Sequence, residues 1–158
     1  MKKTKVLFVC LGNICRSPMA EAVFRDMIEK EGLSYYFEID SAATSAWEVG
    51  NSVHHGTRNK LNEVGISTAG MRARQLEKAD NQKFDYIIGM EEENVRNILR
   101  IFGQKENKKV FRLLDITERP RDIADPWYTG DFEKTYQDVL EGCNALLKQI
   151  QKESGEKS

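Results

Sequence analysis

Apolar residues fall along this chain in two patterns, short dense runs and longer spaced stripes, and the two alternate. Residues 4–10 (TKVLFVC) form a compact run rich in β-branched side chains, which predicts a buried strand. Behind it Ala20, Val23, Phe24, Met27 and Ile28 recur at helical spacing, with Ser17 as N-cap, Pro18 as first helical residue and Gly32 as the stop. The runs at 36–42 (YFEIDSA), 84–90 (FDYIIGM) and 110–114 (VFRLL) predict three further strands. Small and turn residues at 44–53 predict a loop, followed by a helix up to Gly65. Residues 91–102 (EEENVRNILRIF) predict a helix whose leading acids suit an N-terminus, and residues 117–131 a proline-containing loop. The clearest stripe comes last: Phe132, Tyr136, Val139, Leu140, Cys143, Leu146, Leu147 and Ile150 predict one long helix.

Strands alternating with helices predict a three-layer α/β domain, a four-stranded parallel sheet with helices on both faces and right-handed crossovers. Such sheets bind ligands outside the carboxyl ends of their strands. That places Cys10 to Ser17 and Asp125 on the same edge. The 158 residues suit one domain, over 1–151, with a flexible polar tail at 152–158.

Charge narrows the picture. Charged residues make up 31% of the chain, yet the net charge is −1, so no broad basic surface exists for nucleic acid or an anionic membrane. Any anion site has to be local. No apolar run is long enough to span a bilayer, and MKKTK is not followed by the apolar core or cleavage site of a signal peptide. An odd set of cysteines, Cys10, Cys15 and Cys143, argues against a secreted disulfide framework, so a cytoplasmic location is expected.

The local anion site is predicted where the first strand meets the first helix, in CLGNICRSP. Such a turn points successive backbone N–H groups inward, and the helix N-terminus adds its dipole, which together cradle a doubly charged anion. Arg16 adds a planar fork for two oxygens. The same field acts on Cys10: a thiol of ordinary pKa about 8.5 can be lowered to roughly 3.5–7.5 in such surroundings. One pocket then joins an oxyanion site to a strong nucleophile, as covalent phosphoryl transfer requires. Gly12 permits the tight turn, Asn13 tolerates left-handed backbone, and the Ser17 hydroxyl can reach the Cys10 sulfur. The run has no Gly-Lys-Ser/Thr of a nucleotide-triphosphate loop. Two close cysteines without further ligands, and two adjacent histidines, argue against a zinc site.

The segment VLFVCLGNICRSPMAEAVF resembles the low-molecular-weight protein tyrosine phosphatases, and the resemblance continues through ARQL (73–76), FDYIIGM and DPWY (125–128). It implies a small α/β enzyme that acts on phosphotyrosine-containing proteins and small aryl phosphates through a phosphocysteine intermediate, without metal or cofactor. Carried over by motif, Cys10 is the nucleophile and Arg16 the phosphoryl clamp. Backbone N–H groups of Leu11, Gly12, Asn13, Ile14, Cys15 and Arg16 form the cradle, and Ser17 steadies the sulfur. Asp125 is the general acid; a carboxyl ahead of a rigid proline is well placed to protonate a leaving phenolate. In this family a cysteine placed like Cys15 can form a disulfide with the oxidised nucleophile, a redox role whose alternative is that of a small apolar filler.

Trp47, Trp127 and Tyr128 lie in predicted loops and are candidate walls for a phenyl ring; for Trp47 a loop anchor is the other reading. Asp115, Asp122 and Asp131 read as loop carboxylates or caps, and Cys143 as core. His54 and His55 read as a solvated helix entrance, Glu91 to Glu93 as partners of a helix dipole. Arg58, Arg72 and Arg74 read either as surface charge or as a bias on substrate choice. Two departures from the family pattern stand out. Trp127 replaces a common tyrosine, and Met71-Arg72 stand where a histidine commonly precedes Ala-Arg-Gln, so support for Asn13 has to come from elsewhere. Related protein arginine phosphatases carry threonine where Ile14 stands, and arsenate reductases need further cysteines near 80–90 that are missing here. A non-enzymatic phosphoprotein-binding module would be expected to lack the nucleophile or the acid. A monomer or weak dimer is expected.

Overall fold

The most apolar strand lies inside the sheet. In the computed structural model, which describes residues 3–157, β1 (Thr4–Cys10) lies between β2 (Phe37–Ala43) and β3 (Tyr86–Gly89), with β4 (Val110–Arg112) beyond β3. All pairings are parallel, with Val9 level with Ala42 on one side and Gly89 on the other. Val6, Phe8 and Cys10 point into a core shared with α1 (Arg16–Lys30) and α6 (Phe132–Lys157). Leu7 and Val9 point into the opposite core, against α4 (Glu92–Phe102). Burial on both faces is why β1 reads as a continuous apolar run rather than an alternation. The expected three-layer α/β architecture is the one observed.

The boundaries differ in instructive ways. α1 begins at Arg16 with Cys15 as N-cap, two residues before the expected start, so Pro18 is its third residue. Proline is tolerated there because the first helical N–H groups have no partner within the helix. Ser17 is therefore not the cap; its hydroxyl lies 3.0 Å from the Cys10 sulfur instead. At the other end Gly32 adopts φ 70° and lets Leu33 N–H donate back to the Ile28 carbonyl (3.0 Å).

α2 (His55–Glu63) follows the 44–53 loop, and a short α3 (Asp80–Lys83), not expected from the pattern, precedes β3. β4 is three residues long because Leu113–Ile116 turn into a 3₁₀ segment. Gly142 makes room for that segment, since a Cβ there would lie 2.4 Å from Leu113 Cγ. The 117–131 loop contains a four-residue helix, α5 (Pro126–Thr129). α6 continues to Lys157 through the segment expected to be a polar tail, and the Tyr86 hydroxyl donates to Glu153 from β3. No helix among the described residues is long and apolar enough to cross a membrane.

Candidate active site

Three loops meet above the carboxyl ends of β1 and β3. The Cys10–Arg16 turn leaves β1, the segment opening with Glu91 leaves β3, and Asp125 heads α5. Cys10 Sγ sits at the floor, almost fully buried, and three donors surround it: Asn13 N–H at 3.3 Å, Ser17 N–H at 3.4 Å and Ser17 Oγ at 3.0 Å. Ser17 Oγ already accepts from Asn13 Nδ2 (2.8 Å), which leaves its own proton free to point at the sulfur. Three donors converging on one sulfur suit a negative charge there. The N–H groups of Gly12, Ile14, Cys15 and Arg16 have no backbone acceptor among the described residues, which fits a cradle for oxyanions.

The left-handed residue of the turn is Asn13, at φ 59°, as expected of its residue type, whereas Gly12 does not use the positive-φ freedom of glycine. Asparagine adopts this conformation because its short side chain finds local partners. Asn13 Oδ1 accepts from Arg74 N–H (3.1 Å), and Nδ2 donates to Ser41 Oγ (2.9 Å) as well as to Ser17. Ser41 in turn donates to Glu21 Oε1 (2.5 Å), whose other oxygen takes Arg25. The support commonly given by a histidine before Ala-Arg-Gln is thus supplied by Ser41 and by the Arg74 backbone. Ser41 and Glu21 gave no sequence signal, because only the pairing of β2 with β1 brings Ser41 to the turn and to Glu21 of α1.

Arg16 is 1% exposed, the largest fully buried side chain here. Nη1 donates to the Ile123 carbonyl (2.9 Å) and lies 3.3 Å from Glu91; Nη2 reaches Glu91 at 3.3 Å and Asp125 at 3.4 Å. Burial opposes its charge, but the negative groups at Cys10, Glu91 and Asp125 outweigh that and raise its pKa. Glu91 therefore does more than serve a helix dipole: it aligns the guanidinium fork. Asp125 accepts from Trp127 N–H through Oδ1 (3.0 Å), which caps α5 and aims Oδ2 at the pocket.

A cavity of about 160 Å³ opens over Cys10, lined by Leu11, Gly12, Ile14, Cys15, Arg16, Trp47, Glu48, Asp125, Trp127 and Tyr128. A void of ~150 Å³ accommodates a benzene ring, so the size suits an aryl group. Trp47, Trp127 and Tyr128 are 75%, 57% and 78% exposed, which places them at the rim and not in a core. The loop-anchor reading of Trp47 accordingly gives way to a place on the pocket wall. Asn13 and Ser17 do not line the cavity; they lie behind its floor, where Asn13 N–H and, as expected, the Ser17 hydroxyl meet the Cys10 sulfur. Glu48 is a lining residue that the sequence did not signal.

The remaining candidates resolve into supporting roles. Burial, then the charges of Cys10 and Asp125, push the Cys15 thiol up to about 12. Arg74 bridges Asp40 and Asp80, so it is structural rather than free surface charge. Asp122 and Asp115 pair with Arg112, and Asp131 caps α6 at Lys134 N–H, as loop and capping carboxylates should. Cys143 is completely buried against Ala20.

The model of the family "Low molecular weight phosphotyrosine protein phosphatase" matches residues 5–156. The low molecular weight protein-tyrosine-phosphatase YfkJ of Bacillus subtilis is 49% identical over 150 residues, covering 94% of this chain and 96% of that one. The low molecular weight phosphotyrosine protein phosphatase of Mus musculus is 45% identical over 148 residues, 90% of this chain and 93% of that one. The crystal structure of YfkJ superposes with a TM-score of 0.94 at 48% identity, covering 97% and 98% of the two chains.

Proposed function

This chain belongs to the low molecular weight phosphotyrosine protein phosphatase family and is a protein tyrosine phosphatase, and we propose that its chemistry runs through Cys10, Arg16 and Asp125. The observation that carries this assignment is the sulfur of Cys10 held by three donors beneath a pocket that also contains Arg16 and Asp125. The sulfur attacks phosphorus and the bond to the phenolic oxygen breaks. Arg16 and the N–H groups of the turn hold the phosphoryl oxygens as charge spreads over them. Asp125 gives its proton to the leaving oxygen and so becomes the base for the second half. There it takes a proton from water as that water attacks phosphocysteine, releasing phosphate and returning the sulfur with its electron pair.

Arg16 pairs with Asp125 before substrate arrives. A phosphoryl dianion competes for the same guanidinium, which frees the carboxyl to face the leaving group. Trp47, Trp127 and Tyr128 set a depth that a phenyl ring spans and a serine side chain does not. Assayed in EDTA, the protein is expected to hydrolyse a phosphotyrosine peptide at least ~10²-fold faster than phosphoserine or phosphoarginine peptides, a ratio within the range that pocket fit supplies. Loss of activity in EDTA would remove the cysteine route, and equal rates on phosphoserine would remove the depth argument.

The domain over 1–151 acts on phosphotyrosine-containing proteins in the cytoplasm, as a monomer or weak dimer. Its three free cysteines, Cys10, Cys15 and Cys143, suit that reducing compartment. Cys15 serves as the resolving thiol. A peroxide oxidises Cys10 to the sulfenic acid, and the Cys15 sulfur displaces hydroxide to close a disulfide, releasing water overall. Burial holds the Cys15 thiol above its ordinary range, so only a small fraction of it is thiolate near neutrality. Closure is therefore expected to quicken as pH rises from 6 to 9, as followed by mass spectrometry after peroxide treatment; a rate that does not change with pH would speak against attack by the Cys15 thiolate. Cys15→Ser should regain less activity than the parent on later reduction; equal recovery would leave Cys15 as a filler.

A further inference from the structure

His54 stands outside the pocket lining, yet it touches both parts of the site. Its backbone N–H donates to the carbonyl of Ile14 in the anion-binding turn (2.9 Å). Its side chain is the N-cap of α2, with Nδ1 accepting from Gly56 N–H at 3.0 Å, which fixes both the ring's orientation and its tautomer. The fixed ring stacks on Phe132 (centroids 5.4 Å apart, 14° between planes) and on His55 (4.3 Å, 26°). Its remaining side meets the Trp127 ring edge to face, at 5.5 Å and 72°. Gly56 makes this cluster possible, because a Cβ there would lie 2.3 Å from Phe132 Cζ.

Trp127 needs such a partner. It sits on a helix of four residues and is 57% exposed, so its own element does little to hold the ring. We propose that His54 is a positioning residue for specificity: by packing between Phe132 and Trp127 it holds the tryptophan as a wall of the aryl pocket and keeps that wall in register with the phosphate-binding turn. The neutral ring is the form that accepts from Gly56. Burial, with His55 and Arg58 behind it, keeps the His54 pKa below its ordinary value against the opposite pull of Asp125 and Glu48. The inference rests on the reading of this pocket as the phosphotyrosine site.

Two substitutions separate the roles of the residue. His54→Asn keeps an N-cap acceptor and removes the ring, whereas His54→Phe keeps a ring and removes the acceptor. With phenyl phosphate as substrate, His54→Asn is expected to raise KM about 3–10-fold, the range of one aromatic pair, with kcat within about twofold. Inhibition by inorganic phosphate should be unchanged, and His54→Phe should restore KM. In a Trp127→Ala background His54→Asn should add nothing, a cycle that does not depend on the phenylalanine variant folding. An unchanged KM, a phosphate inhibition constant that weakens in step with KM, or independent effects of His54 and Trp127 would each overturn the proposal. The pocket reading fails separately, if the unsubstituted protein shows the same KM for phenyl phosphate and for a non-aromatic phosphomonoester.

Discussion

Cys10→Ser is expected to lower kcat for phenyl phosphate by at least ~10⁴-fold while leaving the binding of inorganic phosphate within a few-fold of the parent. The reason lies in what surrounds the sulfur. The polar neighbours of Cys10 Sγ among the described residues are two backbone N–H groups, which donate, and the Ser17 hydroxyl, which accepts from Asn13 and so has its own proton free for the sulfur. Donors favour a sulfur that has already lost its proton. A serine hydroxyl keeps its proton at neutral pH and would need a base to take it, and none touches this position. The oxyanion cradle and Arg16 are left in place, so phosphate still binds. The substitution is small and sits in a site already lined by hydrogen-bond donors, so the fold is expected to persist. Phosphate binding by calorimetry beside single-turnover kinetics checks both halves. Retention of more than a tenth of the turnover would end the case for Cys10 as nucleophile.

The second large effect is expected at Asp125. Asp125→Asn preserves an oxygen to cap α5 at Trp127 N–H, so the wall stays where it is, but the amide has no proton to give. Turnover of phenyl phosphate, a poor leaving group, should fall by about 10²–10⁴-fold, the usual contribution of a placed acid. The loss should be much smaller for p-nitrophenyl phosphate, whose phenolate leaves without help. The substitution also removes one anionic partner of Arg16, so KM for both substrates is expected to hold or fall. A plot of log kcat against leaving-group pKa should steepen in the variant. Equal losses for both substrates would take the acid role away from Asp125.

The parts of this molecule that were legible in advance share one property: their cause lies within a few residues. The run at 4–10 is apolar throughout because both of its faces are buried, and the last helix announces itself by a stripe at helical spacing. The Cys10–Arg16 turn is equally local, since strand, turn and helix are consecutive. Where the local rule misled, a contact from farther away had intervened. Ser17 has a capping side chain by type, but the sulfur seven residues earlier and Asn13 take it. Residues 152–157 are polar, yet α6 runs through them and Tyr86 reaches Glu153 from another layer; Ser158 lies outside the described residues.

From the sequence alone came the alternation of strands and helices, the cysteine-and-arginine turn, and the aspartate ahead of a proline, because backbone sterics and burial period act over short separations. Only the tertiary structure could decide that Glu91 and the Ile123 carbonyl align Arg16, that Ser41 and Arg74 hold Asn13, and that His54 and Phe132 stand behind Trp127. Those partners are 28 to 107 residues apart for the bonds made by Asn13 and Arg16. Their meeting depends on strand order, which places β1 between β2 and β3, so that the residues following each strand converge at one edge. Strand order is a property of packed layers, and no local pattern of apolar and polar residues encodes it.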